Sequence, residues 1–78
     1  MPVFYFDVQD GDRVTVDQVG TELADDAVAR EEATRALSEF AAEEIPRDGP
    51  QREFGIIVLD QRRSLLFELR LTFRAQSF

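Results

Sequence analysis

The chain has 78 residues, nine arginines, sixteen carboxylates and a formal net charge of −7, with no lysine, histidine or cysteine. That length allows one domain over residues 1–78 with a small core, and the missing cysteines exclude both disulfide staples and thiolate metal sites. Without His, Cys or Lys, the usual nucleophiles, general bases and imine formers are missing, so a noncatalytic protein is expected.

Residues 3–9 (VFYFDVQ) alternate with the period of a strand: Phe4, Phe6 and Val8 on one face; Val3, Tyr5, Asp7 and Gln9 on the other. Asp10-Gly11 can supply the positive φ of a tight turn. The alternation resumes with Val14 and Val16, Arg13, Thr15 and Asp17 being read as outward. This gives a hairpin over about 3–17. Residues 18–23 (QVGTEL) are read as an exit segment, with Gly20 at a turn.

A helix is expected over about 26–44. Asp25 is its N-cap and Asp26 complements the positive end of the dipole. Ala29, Ala33, Ala36, Leu37, Phe40 and Ala41 form one stripe, and its alanines allow close approach to a sheet. Glu31, Glu32, Arg35, Glu39 and Glu43 lie opposite, with Glu31 and Arg35 as an i,i+4 pair. Pro46 is expected to stop the helix, followed by a loop over 47–52.

A second hairpin is expected over about 53–74. Its first strand is apolar on both faces: Phe54, Ile56 and Val58 against Ile57 and Leu59, which suits a central position. Residues 61–64 (QRRS) turn without glycine. The last strand sets Leu65, Phe67, Leu69, Leu71 and Phe73 inward and Leu66, Glu68, Arg70, Thr72 and Arg74 outward, with no bulge expected.

The pattern is therefore an α+β ββαββ domain: a four-stranded antiparallel sheet with one helix on one face. Order 2-1-3-4 makes every neighbouring pair antiparallel and centres the two most apolar strands. It leaves the last strand as a long, leucine-rich edge without Pro, and such edges aggregate unless paired or covered. The uncovered sheet face would carry Val3, Tyr5, Ile57, Leu59 and Leu66. The candidate interface is Tyr5, Ile57, Leu59, Leu66, Glu68, Arg70, Thr72 and Arg74, used by a homo-oligomer, in the simplest case a dimer, or by a protein partner.

The opening Met1-Pro2, the cluster Phe4-Tyr5-Phe6, Asp10-Gly11, then Gly20 with Glu22-Leu23 and Asp25 before an Ala- and Glu-rich helix carry a resemblance. The first half resembles a family of short alphaproteobacterial proteins classed as a domain of unknown function; the second half is similar in pattern only. The resemblance implies a Gly in the last hairpin turn, absent here, and a His where Asp7 stands, so any role of that imidazole is lost. It implies no activity and no catalytic residue.

The remaining chemistries are weak. Asp7 and Asp17 could pair as carboxylates on hairpin 1, but carboxylates there are usually turn residues. A calcium loop at Asp10, Gly11, Asp12 and Asp17 fails on spacing. No phosphate loop is present, and neither cofactor nor metal is expected. Overall acidity disfavours nucleic acid. Charge is uneven, −9 over residues 1–45 and +2 over 46–78. Arg52, Arg62, Arg63, Arg70 and Arg74 on hairpin 2 therefore support an alternative: an antitoxin-like or nucleic-acid-contacting regulator. No stretch reaches the roughly 18–20 apolar residues of a membrane span, and the N-terminus lacks a basic-then-apolar segment, so a cytoplasmic protein is expected.

Overall fold

A computed structural model describes residues 1–45 and 49–78. In chain order the elements are β1 (Val3–Asp10), β2 (Arg13–Thr15), β3 (Thr21–Glu22), α1 (Asp26–Glu44), β4 (Gln51–Leu59) and β5 (Leu65–Arg74). The sheet order is β2-β1-β4-β5, with β3 also pairing β1, and all these pairings are antiparallel. The expected ββαββ order and strand sequence are thus present, with one short strand added. Expected helix termination at Pro46 and the first part of the 47–52 loop lie outside the described residues. β4 begins at Gln51, two residues before the expected start.

Hairpin 1 turns at Gly11, whose φ of 64° is what a type II′ hairpin turn requires at its first central residue. The amide of Gly11 donates to the Glu53 carbonyl at 2.9 Å, which ties this turn to β4. The hairpin register corrects one expectation. Val14 lies opposite Gln9 and Thr15 opposite Val8, so Val14 joins the face away from the helix while Arg13 and Thr15 join the helix face. β2 ends at Thr15, so the regular strand stops before Val16 and Asp17.

The helix begins where Asp25, in extended backbone, accepts the Val28 amide at 2.9 Å. Ala29, Ala33, Leu37 and Ala41 are buried against Phe4, Phe54, Ile56 and Val58. The small alanine side chains let the helix settle close on the sheet. Phe40 meets Phe54 edge-on, with ring centroids 5.4 Å apart, a geometry worth about 0.5–1.5 kcal/mol beyond burial. On the exposed side, Arg35 pairs with Glu32 and, at 2.9 Å, with Glu39 rather than with Glu31. An arginine at helical spacing reaches either direction, so the expected Glu31 partner is replaced by one on each side.

β4 and β5 carry a second correction. Their register shifts between Val58 and Leu59: Val58 faces Phe67, but Leu59 faces Leu65, leaving Leu66 as an extra residue on β5. A bulge of this kind re-aims the side chains beside it. Leu66 consequently packs against the core, while Leu65 is 65% exposed opposite Leu59. The expected inward Leu65 and outward Leu66 are exchanged.

The molecule is elongated, 50 × 21 × 17 Å, with a radius of gyration of 13.7 Å. A compact chain of this length has about 11.5 Å. No helix among the described residues is long and apolar enough to cross a membrane.

Candidate functional site

The helix covers one side of the sheet, and the other side is built by the alternate residues of four strands. The registers set Tyr5, Leu59 and Leu65 in one row; Asp7, Ile57 and Glu68 in the next; then Val14, Gln9, Gly55 and Arg70. Glu53 and Thr72 follow, then Gln51 and Arg74. Of the candidate interface residues, Tyr5, Ile57, Leu59, Glu68, Arg70, Thr72 and Arg74 lie on this helix-free face, whereas Leu66 turns to the core and Leu65 occupies its row. Only the strand register, invisible to simple alternation, could have identified Leu65.

One end of this face is not open. After β2 the chain bends back, and Asp17 holds the bend. Its Oδ1 accepts the amides of Val19 and Gly20, both at 3.0 Å, and its Oδ2 accepts the Phe6 amide at 3.1 Å. Asp7 Oδ1 in turn accepts the Asp17 amide at 2.9 Å. The two carboxylates meet, but as acceptors for backbone donors rather than as an acid–base couple. Burial alone would raise the Asp17 carboxyl; hydrogen bonds from Gly20, Phe6 and Val19 and the charge of Arg63 outweigh it, holding its pKa below the ordinary value.

Gly20 closes the clamp. Its φ is 80°, and a Cβ there would stand 2.6 Å from Val3 Cγ1 and 3.0 Å from Tyr5 Cε1. This close approach lets β3 pair with Val3 and Phe4, continued by the Leu23 amide donating to the Pro2 carbonyl at 3.1 Å. Arg63 stacks on the Tyr5 ring, 3.9 Å from its centroid. Arg63 itself has φ 64°, in the turn where Asp60 Oδ1 accepts the amides of Arg62 and Ser64, each at 2.9 Å. It occupies the left-handed position that glycine takes without strain. Tyr5 is therefore half-buried between this turn and Gly20 rather than freely presented.

The arginines of hairpin 2 do not form one patch. Arg52 pairs with Asp10 and lies 4.7 Å from the Phe54 ring centroid. Arg63 sits on Tyr5, and Arg70 bonds Glu68 at 3.2 Å. Arg62 and Arg74 lie toward opposite ends of β5, roughly 30 Å apart at the ordinary strand rise.

Concave surfaces lie elsewhere. One, of about 480 Å³, is lined by Ala27, Arg30, Glu31, Thr34 and Arg35 on the helix. Another, of about 330 Å³, is lined by Asp10, Asp12, Arg13 and Arg52. A third, of about 280 Å³, runs between helix and edge strand, with Arg30 and Thr34 above Phe67, Glu68 and Leu69. It borders the outer side of β5, where no strand pairs among the described residues.

The site is thus a ten-residue open strand edge, an adjoining groove and a helix-free face with an apolar centre at Ile57, Leu59 and Leu65. No curated protein and no solved structure matches the chain. A family model does match, over residues 3–72, and the chain belongs to the family described as Domain of unknown function (DUF6894).

Proposed function

We propose that this protein is a noncatalytic interaction module that self-associates along β5 and offers its helix-free face to a protein partner. The observation that carries this reading is the edge itself: β5 is ten residues long, outermost in the sheet, and has Leu69, Leu71 and Phe73 only half-buried. An edge of that length, with apolar side chains and no proline, pairs readily with another strand. The bulge at its start blunts only the first residues.

Surface area supports the same reading. The chain exposes 5577 Å², against about 4800 Å² for a folded monomer of 8.9 kDa. The surplus resembles the roughly 800 Å² that one partner contributes to an ordinary interface. Engagement of Arg52 with Asp10 and of Arg63 with Tyr5 favours this reading over a nucleic-acid-contacting or antitoxin-like regulator. The working location is the cytoplasm.

Light scattering across a concentration series tests the proposal. A mass near twice 8.9 kDa at tens of micromolar is expected; a strict monomer throughout that range removes the self-association.

A further inference from the structure

We infer that the occupant of the β5 edge is the β5 of a second copy, antiparallel, in the register that places Leu69 opposite the partner's Leu69. This rests on the self-association proposed above and adds the surface, the symmetry and the register.

Symmetry limits the choices. A two-fold axis that makes two edge strands antiparallel stands perpendicular to the sheet. Both helices then lie on the same side, and residues from the same face oppose each other. The axis must therefore pass through a residue, not between two. Glu68, Arg70, Thr72 and Arg74 share the helix-free face; Phe67, Leu69 and Leu71 share the helix side.

Charge removes most of the rest. An axis at Glu68 sets it against its own copy, and an axis at Arg70 does the same for the arginine; like charges directly opposite destabilise a sheet. An axis at Phe67 runs Glu68 into the bulged residue, Leu66. An axis at Leu69 places Glu68 opposite the partner's Arg70 and Arg70 opposite the partner's Glu68. On the helix side the same register sets Phe67 against the partner's Leu71 and Leu69 against its own copy. An axis at Leu71 also escapes repulsion, since it sets Glu68 against the partner's Arg74. With the bulge at Leu66 excluded, same-face pairing covers residues 67–71 for an axis at Leu69 and 68–74 for an axis at Leu71, so overlap does not separate them in favour of Leu69.

The groove decides in favour of Leu69. Its floor is Phe67, Glu68 and Leu69, and its wall is Arg30 and Thr34. An axis at Leu69 brings the two grooves side by side, so that the two helix flanks at Arg30 and Thr34 face one another across the helix-side residues Phe67 and Leu69 of both copies. Exposed Glu68 and Arg70, which bond each other at 3.2 Å within one chain, are available for exchange across the axis.

Charge reversal tests the register. At low salt, E68R and R70E should each weaken wild-type dimerisation about tenfold or more, because symmetry turns two attractive pairs into two repulsive ones. An equimolar mixture of E68R and R70E, and the double variant E68R/R70E, should both recover dimers. Recovery on mixing also shows that each single variant is folded. If R70E dimerises normally while R74E does not, the axis lies at Leu71 and this register is overturned. If wild type dimerises but none of these variants changes it, the β5 pairing is overturned while self-association stands. If wild type remains monomeric at tens of micromolar, both proposals fall.

Discussion

At one side of the sheet, β2 runs for three residues before Asp17 and Gly20 fold the chain back and β3 pairs with the start of β1. At the other side, β5 runs for ten residues with nothing beside it among the described residues except the flank of α1. The comparison shows how little is needed to close an edge. One carboxylate that accepts three amides and one glycine that admits a second backbone remove the polar row that would otherwise template pairing. Edge β5 has neither device, and its arginines alternate with leucines instead of replacing them.

The largest expected effect strikes the closed side. Gly20→Ala must hold φ 80° with a Cβ 2.6 Å from Val3 Cγ1, and should cost about 2–4 kcal/mol of unfolding free energy in urea titration. Loss of less than 1 kcal/mol would mean that this bend is not what closes the edge. Asp17→Asn keeps one oxygen for Val19 and Gly20 but opposes an amide to the Phe6 donor, for an expected cost of about 1–3 kcal/mol. Its pH dependence sharpens the assignment. The folded carboxyl is held below its ordinary value, so its stabilisation is complete above about pH 4 and is lost as pH falls through the folded pKa. Asp17→Asn should flatten that acid limb, read as the thermal midpoint between pH 5 and pH 2.5.

Smaller effects belong to the turn between β4 and β5. Arg63→Ala keeps the left-handed backbone but loses the Tyr5 stack, and should destabilise by about 0.5–1 kcal/mol. Arg63→Gly relieves the backbone while losing the same stack, so it should lie closer to wild type. A cost for Arg63→Gly above that for Arg63→Ala would break this account of the turn. The smallest perturbation is dilution. Amide exchange in β5 should speed up as dimers dissociate, while the amides of Val19 and Gly20 that Asp17 binds should be unaffected.

Much of this contrast was legible in the residues. Alternation in 3–9 and 65–74, the Asp-Gly turn and the Asp25 cap are local signals, and antiparallel connectivity then dictates the strand order. Three features escaped because they depend on how strands meet rather than on what each one is. β3 is two residues long and has no periodicity to detect. The bulge beside Val58 exists only in the pairing, yet it decides whether Leu65 or Leu66 reaches solvent. Val14 continues an apolar alternation that suggested a core position, but the two-residue turn at Gly11 and Asp12 sends it to the helix-free face. The edge and the apolar centre at Ile57 and Leu59 could be named in advance, since they follow from strand order; the covering of Tyr5 by Gly20 and Arg63 could not.

Finally, the 50 × 21 Å outline has a hydrodynamic consequence. A monomer with an axial ratio near 2.4 experiences more friction than a sphere of equal mass, so it elutes early and imitates a larger particle. Joining two copies along β5 adds width, not length. The product is a plate roughly 50 Å by 42 Å, less asymmetric in its plane than either half. Dimerisation along this edge should therefore raise the sedimentation coefficient more than end-to-end joining of the same two masses.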